Sequence, residues 1–356
     1  MSCFETKSLP DGPLKTRGQH YVPCMLQSAF ATAGRGKFPQ VYVFDKKEER
    51  IFRTAPANIL HERDFNRYND GKYIICMEDG LGKIEDQAAP VFKRIAEDRS
   101  LVGLTLEDRV KVMAFVALQQ VRGPSTRINM IDVAEKMRER VRSMGHDPEE
   151  VPQLRGMDDP EMVKFIAMNL ASKNLPEFTK IISTKMMLLI GAAPGTTFLL
   201  GDHPVVKANT NQNGVLGSLG LTSEGIEIYL PIAPDLLLAF WCPTLVHFLE
   251  VGLKQSEESY HNTALIALLG VGSEADLLRK ERANLGASIE ALRADLDAIR
   301  NQKPLISNAK SMEYYNSLQV IYAERRVISA TGDFALASNM IAGNNNLRSG
   351  PRLELL

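Results

Sequence analysis

The stretch that decides the fold is IYLPIAPDLLLAFWCPTLVHFLEV, residues 228–251. It is the most apolar run of the chain and approaches the length of a membrane span. Pro231, Pro234 and Pro243 interrupt it, however, and Asp235 lies inside it. Proline removes a backbone donor and breaks helix interiors, so buried strands joined by a turn fit better than a spanning helix. Glu227–Pro231 and Leu236–Cys242 therefore read as two strands. Upstream, Thr196-Thr197-Phe198-Leu199-Leu200 is a further β-rich run and Asn209–Asn213 a turn-rich loop. Residues 195–242 form one β-rich segment.

Around it the chain reads as helical. Thr105 and Asp108 have the spacing of a reciprocal N-cap. Val110, Met113, Ala114, Ala117, Leu118 and Val121 then recur at helical spacing. Gly123-Pro124 ends that helix, and a second runs from about Ser125 to Met144. Residues 145–160, with Gly145, Pro148, Pro152, Gly156 and Pro160, read as a loop, and helices follow to about Ile190, with the Met186-Met187 patch as core packing. Helices resume near Leu245. Residues 273–302 form one long helix in which Leu278, Leu285, Ile289, Leu292, Leu296 and Ile299 make an apolar seam. Pro304 stops it. Residues 310–326 read as helix and Val327–Ser329 as a short strand. From Asn339 the Asn/Gly/Ser-rich composition predicts a disordered tail over 340–356.

The N-terminal part differs again. Residues 1–18 read as a flexible arm, without the apolar core of a signal peptide. Val41, Val43 and Ile51 flank the charged turn Asp45–Arg50, which predicts a hairpin over 41–53. Residues 1–56 carry a charge of +4, whereas the whole chain has a net charge of -1 and gives no overall pull toward nucleic acid or membrane. The four cysteines are widely spaced, with no CxxC pair, which fits a reducing cytoplasm rather than a disulfide framework. The expectation is a single large α+β domain over 19–330 with a predominantly helical body. Its parts are a β-containing 19–80, a helical 81–190, the β-rich 195–242 and a helical 245–330.

Two polar motifs stand on stiffened backbone. In Gln19-His20-Tyr21-Val22-Pro23, proline holds Val22 extended, and His20 points to the same side. In Gly201-Asp202-His203-Pro204-Val205-Val206, a polar pair follows an apolar run. His20-Tyr21-Val22-Pro23, with Phe30 seven residues after the proline, resembles the opening of the largely bacterial domain-of-unknown-function family 4238. The similarity continues through Val41–Asp45, Asn58–Phe65, the Glu85 helix, Gln119–Arg127, Gly201–Val206, Leu230–Asp235 and Asn316. Where the family usually has leucine four residues after the proline, this chain has Gln27. The resemblance implies a fold and no established activity.

The same opening is similar to the His-x-Val-Pro segment of His-Asn-His nucleases. That similarity implies a metal-dependent hydrolase of phosphodiesters. His20 is then the general base, Asn58 its orienting residue and His61 a metal ligand, with Asn58 and His61 on a helical turn after the hairpin. Asp202 joins as a second catalytic candidate and His203 as a second metal candidate. Arg122 and Arg127 flank a helix break and suit a phosphate or carboxylate. A divalent metal is the cofactor this reading calls for, and nucleic acid the partner. Each residue also has a structural reading: His20 pinning an arm, Asp202 capping its own turn, the arginines pairing with acids. The competing class is a non-enzymatic interaction module that associates, as a homo-oligomer or otherwise, through the 273–302 helix. There is no Walker loop, GxGxxG, HExxH or GxSxG.

Overall fold

The computed structural model describes residues 5–8, 18–34, 38–69, 73–209, 219–264 and 273–352. The described elements begin with strands β1 (Glu5–Ser8) and β2 (Gly18–His20) and helix α1 (Cys24–Ala29). The hairpin β3 (Val41–Asp45) and β4 (Arg50–Thr54) follows, then β5 (His61–Arg63), β6 (Arg67–Asn69) and β7 (Tyr73–Cys76). Helices α2 (Glu78–Asp98), α3 (Leu106–Arg122), α4 (Pro124–Ser143) and α5 (Pro160–Ser183) make the middle. Strands β8 (Met186–Gly191), β9 (Leu200–Gly201), β10 (Val206–Asn209), β11 (Ile226–Ala233) and β12 (Leu236–Trp241) come next. The chain closes with α6 (Pro243–Asn262), α7 (Ser273–Arg300), β13 (Leu305–Ile306), α8 (Ala309–Tyr322), β14 (Arg326–Ser329) and α9 (Ala335–Gly343). This is an α+β fold. No described helix is long and apolar enough to cross a membrane.

The decisive stretch becomes the middle of a five-stranded sheet ordered β10-β11-β12-β8-β13, antiparallel except for β13 on β8. Side chains alternate across a strand, and both faces are covered. Leu236, Leu238 and Phe240 pack with Ile95, Phe115 and Val116 of α2 and α3. Leu237 and Ala239 pack with Leu296, Ile299 and Leu318 of α7 and α8. A strand buried on both faces reads as a continuous apolar run, which is why this one mimics a membrane span. Asp235 sits at the β11–β12 turn and pairs with Arg99.

Several expectations needed correction. Met186–Gly191 is strand β8, not helix; a short apolar run does not distinguish the two until neighbours pair with it. Of Thr196–Leu200 only Leu200 enters a strand, because the Asn316 side chain binds Leu199 N at 2.8 Å and Thr197 O at 3.0 Å in place of a ladder. Part of the N-terminal arm, Glu5–Ser8, pairs antiparallel with Tyr73–Cys76. The expected disorder from Asn339 onward does not hold for the described part. Ile341 of α9 is fully buried against Phe44 and Val320. Arg352 grips Glu324 with both Nη atoms, at 2.6 and 2.9 Å. Residues 1–4, 9–17, 210–218 and 353–356 lie outside the described residues, and with them most of the arm, the loop after Asn209 and the last leucines.

The capping box at Thr105 and Asp108 is present in both directions. The 41–54 hairpin is paired from Val41↔Thr54 to Asp45↔Arg50 and extends through β14 and β9 into a four-stranded sheet. The apolar seam of α7 is partly spent inside the chain. Leu296 and Ile299 are buried with Leu249 and Leu253 of α6 beside them, and Ile289 is buried too, whereas Leu285 and Leu292 are half-buried.

Candidate functional site

His20 ends strand β2, which pairs antiparallel with β5 so that His20 stands opposite His61. The two rings meet edge to face, with centroids 5.1 Å apart. Glycine at position 18 permits this: a Cβ there would lie 2.9 Å from His61 Nδ1. That nitrogen is buried and has no hydrogen-bond partner. Asn58, exposed, ends the 3-10 turn Pro56–Asn58. His61 begins a strand rather than continuing that turn as expected. Cys24 opens α1, and its Sγ lies 3.3 Å from His20 Nε2. Burial lowers the His20 pKa, and the neighbouring His61 and Arg122 add to this, while hydrogen bonding to the Pro56 and Ala57 backbone opposes it. His20 is therefore a neutral imidazole near pH 7. Burial raises the Cys24 pKa, and Glu85 adds to it.

The backbone under this pair is fixed by buried side chains, one carbonyl at a time. Arg122 donates to the His20 carbonyl and pairs with Glu85. Gln119 Nε2 donates to Tyr21 O at 2.7 Å, and Gln27 Nε2 to Val22 O at 2.7 Å. Gln19 Oε1 accepts from Asn66 N at 2.6 Å. Buried glutamines are uncommon unless bonded, and here they hold the segment 19–22 against α3 and α1. Gln27 thus has a reason to stand where the family usually has leucine.

The two arginines are equally occupied. The Arg122 side chain is 5% exposed. Arg127 lies 3.6 Å over the Phe65 ring and donates to the Phe65 carbonyl; burial lowers its pKa to about 10. Between them, beside Asn66, is a cavity of about 10 Å³, room for about one water molecule. Both residues position backbone in this arrangement instead of presenting an open anion site.

Asp202 has its own full set of partners. Its Oδ1 accepts from Glu324 N at 2.6 Å, and Oδ2 from Arg325 N and Arg326 N at 2.8 Å each. Burial raises its pKa to about 6, against the pull of those three N–H groups and of Lys46. Lys46 is fully buried and donates to Val320 O at 2.6 Å and Ala323 O at 2.5 Å, at the C-terminus of α8. Burial lowers its pKa to about 8. A cation thus ends α8, and an anion gathers the next three N–H groups. His203 stacks on Tyr322 at 6.2 Å, and burial, then Lys207, lowers its pKa to about 4.

The two motifs do approach one another through the α3–α4 junction. Arg122 holds the His20 carbonyl, and a Cβ on Gly123 would come 3.3 Å from His203 Nδ1. The Asp202 charge also helps burial to raise the Tyr21 pKa. The side chains, however, face different partners. His20 is turned to His61 and Cys24, while Asp202 is committed to residues 324–326. His20 and Asp202, both catalytic candidates from the sequence, are not brought together by these contacts. The structure instead brings together His20, His61 and the turn bearing Asn58, and adds Cys24, Gln119, Gln27 and Glu85. Cys24, four residues after His20, had a signal in that spacing; the glutamines had none without a tertiary fold.

Among the described residues no group of three His, Cys, Asp or Glu side chains converges as a metal cage. His20, His61 and Cys24 do not make a closed donor set of the kind that holds zinc. Compared with known proteins, the chain matches the family model described as "Protein of unknown function (DUF4238)" over residues 18–333. No curated protein and no solved structure matches.

Proposed function

The chain belongs to the DUF4238 family, and we propose that it is a hydrolase acting on phosphodiesters, with His20 as its general base. The observation that carries this reading is the β2–β5 pairing. It sets a half-buried, neutral imidazole opposite a second imidazole, beside a turn that presents an exposed amide at Asn58. A general base must hold a free lone pair at the working pH. Burial and the neighbouring His61 give His20 that state, and the bonds from Arg122, Gln119 and Gln27 fix where it points.

In the reaction, His20 takes the proton of the attacking water and Asn58 orients that water or the His20 ring. His61 faces the same space. A divalent cation arriving with the substrate phosphate would neutralise charge on the phosphoryl oxygens, with His61 as its protein ligand. Asp202, His203, Arg122 and Arg127 enter as supports of the fold. Nucleic acid, the commonest phosphodiester, is the proposed partner, and the cytoplasm, where Cys24 stays reduced, the proposed location.

The test is turnover of bis(p-nitrophenyl) phosphate, then of single- and double-stranded DNA, with Mg²⁺, Mn²⁺ or Zn²⁺. His20→Gln is expected to lose about 100-fold or more, the scale of a lost general base. Absence of turnover with every cation, or turnover indifferent to His20→Gln, overturns the proposal.

A further inference from the structure

Three cysteines are free among the described residues, and their surroundings differ. Cys242 is buried, with its sulfur on the Thr244 hydroxyl at 3.2 Å. Cys76 is half-buried and lies 4.0 Å from the Gln19 amide. Cys24 is half-buried too, but its sulfur sits 3.3 Å from an imidazole nitrogen. We propose that Cys24 is a nucleophile activated by His20, and that the pair carries out acyl transfer on carboxylic esters and thioesters.

The geometry has the three parts of an activated nucleophile: sulfur, base and something that orients the base. The Arg122 bond to the His20 carbonyl and the edge-to-face contact with His61 orient the His20 ring, and Nε2 is the nitrogen facing Cys24. The sulfur is placed as firmly as the base. Pro23, just before it, is held by the Gln27 bond to the Val22 carbonyl, and the Arg122 and Gln119 bonds fix residues 20 and 21. Both partners are neutral at rest, because burial raises the thiol and lowers the imidazole. The thiol therefore gives up its proton during attack rather than before it.

The step balances as follows. The Cys24 S–H proton passes to His20 Nε2 as sulfur bonds the acyl carbon, and the carbonyl π pair moves to oxygen. Collapse of that intermediate breaks the bond to the alcohol or thiol, which leaves with the proton from His20. Water, deprotonated by His20, then attacks the Cys24 thioester; the acid departs and the thiol regains its proton. Acyl carbon is a fitting electrophile because a thiol losing its proton is a strong nucleophile toward it and the resulting thioester releases thiolate readily, so both halves proceed with one base. The inference shares His20 with the phosphodiesterase reading but does not depend on it, since its readouts involve no phosphate.

The experiment uses the full chain with p-nitrophenyl acetate and, separately, iodoacetamide, each followed by peptide mass spectrometry. Acetylation is expected on Cys24 with release of about one p-nitrophenolate per chain before steady turnover. Iodoacetamide is expected to modify Cys24 at least tenfold faster than Cys76 or Cys242. His20→Gln, checked for folding by its melting transition, is expected to bring Cys24 down to the Cys76 rate. Should that variant not fold, the native ratio of Cys24 to Cys76 rates and the site of acetylation decide. Acetyl found elsewhere than Cys24, or a Cys24 rate equal to that of Cys76, overturns the proposal. Failure of phosphodiester turnover alongside a reactive Cys24 would sink the earlier reading and leave this one standing.

Discussion

Asp202→Ala is expected to be among the most destabilising single changes in the chain. The carboxylate is 2% exposed and accepts from three backbone N–H groups, those of Glu324, Arg325 and Arg326. Truncation leaves the buried Glu324 donor and the part-buried Arg325 and Arg326 donors without their acceptor, and removes the anion that acts most strongly on the buried Lys46. A buried donor left unpaired costs about 1–3 kcal/mol, so about 9 kcal/mol is an upper bound for three donors of which two are part-buried. They share one acceptor, and entering water recovers part, so about 2–4 kcal/mol is expected. About 4 kcal/mol is a large share of the ~5–15 kcal/mol that holds a typical domain together. Asp202→Asn keeps one oxygen and should lose about half as much. Urea denaturation at pH 7 measures both, through a shifted midpoint at constant slope. A loss below about 1 kcal/mol for Asp202→Ala would refute the pin and return Asp202 to the list of working residues, since functional groups are often removed without loss of stability.

The pH dependence of stability should show two neighbours in opposition. His203 is folded with a pKa of about 4 against its ordinary 6.5, so its contribution is present above 6.5 and lost as pH falls toward 4, by about 3 kcal/mol. Asp202, raised to about 6 from 3.8, contributes below 3.8 and loses that as pH rises through 6, by a similar amount of about 3 kcal/mol. Melting temperatures between pH 7 and 4 should thus change little through this pair in the native chain, while His203→Gln gains stability relative to it on acidification; parallel curves would contradict this. In the α7 seam, Leu296→Ala is expected to cost about 2–5 kcal/mol and half-buried Leu285→Ala clearly less, read by chemical denaturation alongside sedimentation. Unchanged sedimentation is expected if the seam serves its own chain. Ile341→Ala should cost about 2–5 kcal/mol, which a disordered tail would not show.

Which parts of this were legible follows from how local the determinants are. The Thr105–Asp108 cap, the 41–54 hairpin, the strands around Pro234-Asp235 and the long helix before Pro304 each announce themselves within a few residues. Strand β8 does not, because MMLLIG fits a buried helix as well as a buried strand until Leu236–Trp241 pairs with it. The segment after Asn339 reads as polar, yet Ile341 finds a pocket and Arg348 and Arg352 find Glu49 and Glu324. At the site, the similarity to His-Asn-His nucleases grouped His20, Asn58 and His61, and the fold sets His20 opposite His61. Arg122 and Arg127, read from the sequence as substrate residues, each donate to a carbonyl of the segment they support, a partner no local pattern announces. The burial of Lys46, Gln27 and Gln119 had no local signal at all, since a buried polar side chain is defined by partners far along the chain.

The most direct measurement of the central claim is the pH dependence of kcat/KM for bis(p-nitrophenyl) phosphate hydrolysis, in the native chain and in His61→Ala. A neutral His20 acting as base predicts an acid limb below pH 6.5, abolished in His20→Gln. Removing His61 takes away a neighbour that depresses the His20 pKa, so the limb should move up toward 6.5. An acid limb that stays in place in His61→Ala, or one that survives in His20→Gln, would contradict the account.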